Sequence, residues 1–229
     1  MIVEPRGVRR WSAGVFDLDG TLIDTRPGVR AAISAAFRDV TGEGPTGEGA
    51  DLSLPLGAMI RGLDPSAPAA RHQLLSEAFR RHYDSTDWKH ADLYEGAEES
   101  LRALRAEGMR VFVVTNKRAT AAERLLEHFG LAQHIEAIVG QSDTGEPVPK
   151  AELMEQCLAG AALDSATTVV IGDSDQDAAA ARSSGMVFVA VTSGAGPLGH
   201  AMAGEERVEV GSLADATAYV LGRPRGEQP

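Results

Sequence analysis

The chain has 229 residues, 43% hydrophobic and 5% aromatic, enough for one large domain or for a core domain carrying a smaller insertion. Its 33 acidic residues outnumber 22 basic ones, giving a formal net charge of −11. That balance argues against a surface built to track a nucleic-acid backbone. One cysteine, Cys157, excludes an internal disulfide and a cysteine-cluster metal site.

Short apolar runs alternate with amphipathic helical patterns along most of the chain. Arg6, Arg9 and Arg10 have no apolar run behind them, so we expect no secretion signal. No stretch approaches the roughly eighteen apolar residues of a membrane span, and a cytoplasmic protein is expected. Strands are predicted at Ala13–Phe16, Arg110–Thr115, Ala137–Val139, Thr168–Ile171, Val187–Val191 and, more weakly, Arg207–Val210. Between them Glu98–Glu107, Ala119–Phe129, Ala151–Ala161 and Gln176–Ser183 carry helical spacing. Cys157 falls in the third of these as a small core residue. Strand and helix alternating at short intervals predict an α/β core, a Rossmann-like parallel sheet with helices on both faces.

Residues 25–93 break the alternation. They contain helical stretches at Gly28–Val40 and Ala69–Tyr83, a Gly-rich loop (TGEGPTGEG), a Pro-containing turn near Leu54–Gly57, and no convincing strand. The loop has neither a preceding strand nor a following Lys-Ser/Thr, so it is not a phosphate-cradling loop. We read 25–93 as an inserted helical cap domain and 1–24 with 94–229 as the α/β core. The tail GRPRGEQP is expected to be disordered.

Ligands of open parallel sheets bind beyond the carboxyl ends of the strands. The first strand delivers Asp17 and Asp19, then Gly20 and Thr21. The second delivers Thr115 and Asn116, and the fourth delivers Gly172, Asp173 and Asp177. Like charges crowded at a strand end repel, and burial raises that cost. Four carboxylates without histidine or cysteine match a hard-cation site, with Mg²⁺ the natural occupant. Alternatively, GDSDQD serves only as a helix cap, started by Asp173 or Ser174.

DLDGT (17–21), VVTNK (113–117) and IGDSDQD (171–177), in that order, resemble the haloacid dehalogenase-like hydrolase superfamily, and LYEGAEESLRALRAEGMRVFVVTNK (93–117) with the DLDGTLIDT opening looks closest to its phosphoglycolate phosphatase-like branch. The resemblance spans nearly the whole chain. It implies a Mg²⁺-dependent phosphatase acting on a small phosphorylated metabolite. Asp17 would be the nucleophile that becomes an aspartyl-phosphate, and Asp19 the general acid–base. Asp17, the Asp19 carbonyl and Asp173 would hold Mg²⁺, with Asp177 in support. Gly20, Thr21, Thr115 and Asn116 would line the phosphate site.

In this branch a lysine usually precedes a Pro-x-Pro, but here Glu146 occupies that place in EPVPK. The chain has only Lys89, Lys117 and Lys150 to complete the site, and Lys150 is the best candidate by elimination. Relatives that dehalogenate lack the second aspartate, so Asp19 implies phosphoryl chemistry. A β-phosphoglucomutase-like sugar phosphomutase is the alternative enzyme, and a non-catalytic binding protein with the same fold a third reading. Substrate choice is expected in the cap, where Arg30, Leu56, Gly57 and Arg61 fall in the relevant region. The six histidines show no metal-ligand spacing, and Trp11 and Trp88 are read as packing residues. A monomer is favoured over a dimer, with no membrane or nucleic-acid partner.

Overall fold

The computed structural model describes residues 11–45, 54–193 and 207–223. The N-terminal arginines, part of the Gly-rich loop (46–49), His200 and most of the tail (224–229) lie outside the described residues. The chain divides into two compact units, Ile23–Leu93 and the remainder.

The larger unit is built on a sheet of β1 (Ala13–Phe16), β4 (Arg110–Arg118), β5 (Ala137–Gln141), β6 (Thr168–Gly172), β7 (Val187–Val191) and β8 (Arg207–Val210). Their order is β5-β4-β1-β6-β7-β8, and every neighbouring pair is parallel. β1 is central because all four of its residues are buried, as a strand covered on both faces must be. The helices α4 (Ala97–Ala106), α5 (Ala119–His128), α6 (Lys150–Gly160), α7 (Asp175–Ser183) and α8 (Leu213–Val220) cover this sheet. One apolar cluster joins Val15, Phe112 and Val170 of the central strands to Leu153, Met154 and Cys157 of α6. Burying side chains of this size contributes about 1.5–3 kcal/mol each.

The second unit holds α1 (Arg26–Thr41), α2 (Leu56–Leu63) and α3 (Ala69–Ser85), packed through Ile33, Phe37, Ile60, Leu63, Leu75 and Tyr83. Phe79 and Tyr83 stack with ring centroids 5.4 Å apart. The chain enters and leaves this unit side by side, because β2 (Ile23–Asp24) pairs antiparallel with β3 (Asp92–Leu93).

Several elements depart from the sequence reading. The turn expected near Leu54–Gly57 is instead the start of α2, with Pro55 just outside the helix where its missing N–H costs nothing. The β2–β3 ladder spans only two residues per strand, too few to leave a periodic signal. α8 was not expected, although Ser212 caps it by accepting from Asp215 N at 3.1 Å. β4 runs on to Arg118, three residues past the predicted end.

Candidate active site

Asp17 follows β1 directly, and its backbone N–H donates to Ile171 O at 2.9 Å, so the chain stays in sheet register up to the first carboxylate. Gly20 then turns with φ +95°, a conformation that side-chain-bearing residues rarely adopt. A Cβ at Gly20 would collide with the Asp173 carboxylate, so the turn of β1 and the end of β6 are in direct apposition. Thr21 Oγ1 completes that junction by donating to Asp173 Oδ1 at 3.3 Å.

β4 contributes through an irregularity. Its register against β5 shifts between Val114 and Arg118, and Thr115, Asn116 and Lys117 lie within that break. Thr115, buried, donates to Asp19 Oδ2 at 3.5 Å and accepts from the Lys117 backbone N–H at 3.1 Å. Lys117 Nζ pairs with Asp19 Oδ1 at 3.0 Å. The Asn116 amide donates to Gln176 Oε1 at 2.8 Å, linking β4 to the first turn of α7.

Asp173 and Ser174 form the junction between β6 and α7. Ser174 is the N-cap of α7 and forms a reciprocal box with Asp177: Ser174 N and Oγ donate to Asp177 Oδ2 at 3.1 and 2.6 Å. The other oxygen of Asp177 lies 2.5 Å from Lys150 Nζ, held by charge rather than by an aligned hydrogen bond. A Cβ at Gly172 would sit 2.6 Å from the Asp177 carboxyl carbon, so glycine is what lets that carboxylate fold back over the strand end. GDSDQD therefore caps its helix and presents carboxylates at the sheet edge.

Lys150 is the first residue of α6, 8% exposed, and its ammonium bridges Asp17 Oδ1 and Asp177. Burial alone would lower its pKa, but the two carboxylates more than offset this and hold it above the ordinary lysine value. Burial pushes Asp17 well above the usual carboxylate range, with Asp177 and Asp173 adding to the rise and Lys150 opposing it. Glu146, at the place where the sequence pattern leads one to expect lysine, is exposed in the loop before α6.

The structure thus brings together Asp17, Asp173, Asp177 and Lys150, with Gly20 and Thr21 at the edge of the group. Asp17, Asp173 and Asp177 each bring a carboxylate oxygen within 4.8 Å of the others. These three buried carboxylates lie around the Lys150 ammonium, and their oxygen-only donor set fits a divalent cation. The Asp19 side chain is not in this group, because it is engaged by Lys117 and Thr115. Asp177 has one oxygen on Ser174 and the other on Lys150. Gln176 escaped the sequence reading of the site, whereas Ser174 entered it only as a helix cap and Lys117 only as a candidate for the site's lysine. For Ser174 the signal was present, since Ser-x-x-Asp is a capping pattern.

Comparison with known proteins agrees with this geometry. The haloacid dehalogenase-like hydrolase family model matches residues 15–191. A phosphoglycolate phosphatase of Cereibacter sphaeroides is 33% identical over 190 residues, covering 79% of this chain and 84% of its own. The tyrosine-protein kinase PtkA of Mycobacterium tuberculosis is 32% identical over 186 residues, 80% of this chain and 62% of its own. Among solved structures, a predicted phosphatase from Clostridium acetobutylicum superposes with a TM-score of 0.81 over 93% of this chain and 99% of its own, at 23% identity. The chain therefore belongs to the haloacid dehalogenase-like hydrolases, within their phosphoglycolate phosphatase-like branch.

Proposed function

We propose that this phosphatase hydrolyses a small phosphomonoester, with Mg²⁺, through an aspartyl-phosphate on Asp17. The observation that carries the reading is the buried group of Asp17 and Asp173 at the ends of the adjoining strands β1 and β6 with Asp177 and Lys150 from the first turns of α7 and α6, Asp19 lying two residues beyond Asp17. In the first half-reaction an Asp17 oxygen bonds to phosphorus while the bond from phosphorus to the leaving oxygen breaks. Asp19 gives that oxygen a proton. In the second half-reaction Asp19 takes a proton from water, the water oxygen attacks phosphorus, and Asp17 leaves as a free carboxylate.

Lys150, fixed by Asp177, faces the negative charge that develops on the transferring group. Thr115, Asn116, Thr21 and Gly20 line the position of its oxygens. Asp17, Asp173 and the Asp19 carbonyl would hold Mg²⁺, with Asp177 in support. When bound, it would offset charge on the phosphoryl oxygens and on Asp17. The substrate class is phosphoglycolate-like, a sugar phosphate or another metabolite phosphate. No described helix is long and apolar enough to cross a membrane.

The test is inorganic phosphate release from a panel of small phosphomonoesters, with Mg²⁺ and with EDTA. Turnover that requires Mg²⁺ is the expected result. Isomerisation of a sugar phosphate with little release would make the protein a mutase, and turnover unaffected by EDTA would contradict the metal assignment.

A further inference from the structure

Lys150 stands four positions beyond the place where the sequence pattern puts the site's lysine, yet its ammonium lies against Asp17 and Asp177. Something must bring the loop between β5 and α6 back to the sheet at that point. Residues 142–147 of the loop are all exposed; within it Ser142 Oγ accepts from the backbone of Thr144 and Gly145 at 3.3 and 3.0 Å, and its near end is tied to α5 and β4, where Thr120 Oγ1 donates to Asp143 Oδ1 at 2.6 Å and Arg118 lies 3.7 Å from the same oxygen.

Its return point is different. Gln141, the last residue of β5, is 5% exposed and bonds both backbone groups of Val148. Its Nε2 donates to Val148 O at 2.8 Å, and its Oε1 accepts from Val148 N at 2.9 Å. One side chain thus closes the loop as a neighbouring strand would. The pairing also fixes the amide's orientation, because a flipped amide would set donor against donor and acceptor against acceptor. Gln141 is in turn anchored on the sheet, with its backbone in register with Arg118 of β4. The preceding Gly140 lies so close to the end of β4 that a Cβ there would sit 2.7 Å from Lys117 O. Val148 packs against the apolar cluster of the core, Pro149 follows as the N-cap, and Lys150 opens α6.

We infer that Gln141 is the positioning residue for Lys150: its double bond to Val148 sets where α6 begins and so delivers the ammonium to Asp17. The inference rests on the proposed function for the role of Lys150 in turnover, but not for its placement. Placement can therefore be read without any substrate. The chain has only three lysines, so acetylation by a fast amine reagent can be followed at each by mass spectrometry, with Lys89 as the reference in the same molecule.

Gln141→Leu takes away the partner of the half-buried Val148 N–H and C=O, and Lys150 should acetylate roughly 10- to 100-fold faster relative to Lys89 than in the wild-type chain. Gln141→Glu, which keeps the acceptor and loses the donor, should give a smaller increase and serves if the leucine variant does not fold. Unchanged protection of Lys150 in a folded variant overturns the inference.

The second arm uses turnover. Gln141→Glu should lower kcat, and in a Lys150→Met background the same change should cost less than about 2-fold, because a residue acting through Lys150 has nothing left to position. Equal losses in both backgrounds would mean a general structural role and overturn the inference. If Lys150→Met alone leaves turnover intact, the proposed role of Lys150 fails, while the acetylation result still decides the placement.

Discussion

Two segments deliver the charged groups of the site, and they do so by opposite means. The turn after β1 is specified locally. Asp17 keeps the sheet register, Gly20 supplies the left-handed turn, and Asp173 fills the space a side chain at Gly20 would need. The segment from β5 to α6 is specified at a distance: its exposed residues are tied at Asp143 to Thr120 and Arg118, and its return to α6 is set by the side chain of Gln141. A strand end constrains its next few residues through hydrogen bonds already paid out along the sheet. A loop can shift its functional residue by a turn of helix, provided that its anchor shifts as well. That contrast explains how Glu146 can stand in the lysine's usual place while an ammonium still reaches Asp17.

Substitutions in the two segments should therefore differ in kind. The largest effect is expected at Asp17→Asn, which removes the nucleophile with little change of shape: steady-state phosphate release should fall by at least roughly 10³-fold, with the melting temperature no lower than that of the parent chain. Retained turnover would refute the assignment of Asp17. Next comes Lys150→Met, which leaves Asp17 and Asp177 buried without their cation. Stability in chemical denaturation should drop by about 3–5 kcal/mol in EDTA and recover in part with Mg²⁺. Lys117→Met removes a partially exposed partner of Asp19, and should cost far less stability than Lys150→Met and less activity.

Smaller effects sharpen the comparison. Ser174→Ala removes the cap of α7 and one anchor of Asp177, for about 0.5–2 kcal/mol of stability in thermal unfolding. Glu146→Gln, in the exposed part of the loop, should change neither stability by more than about 0.5 kcal/mol nor kcat measurably. A large loss there would show that the loop's exposed residues take part in the site.

The sequence made the β1 segment legible and the β5–α6 segment only partly so, for a physical reason. Asp17, Asp19, Thr115 and Asp173 stand at or just past the ends of apolar runs, and Asp177 stands in the first turn of the helix after one, so their placement at the carboxyl ends of the strands can be read from the alternation of strands and helices. Lys150 was reached by elimination among three lysines, not by geometry, and nothing in GQSDTGEPVPK announces that Gln141 and Val148 will pair. Side-chain bonds across a loop carry no periodicity. The same limit hid the Lys117–Asp19 and Asn116–Gln176 contacts. In the inserted unit, α1 and α3 were readable from helical spacing, whereas Pro55 disguised the start of α2 as a turn.

The central claim is that Asp17 carries the phosphoryl group during turnover. The most direct test is to quench the enzyme in acid during steady turnover of a radiolabelled phosphomonoester with Mg²⁺, digest it, and locate the label. The account predicts label on the peptide containing Asp17, absent from Asp17→Asn. Turnover without any labelled peptide, or label on a residue other than Asp17, would contradict it.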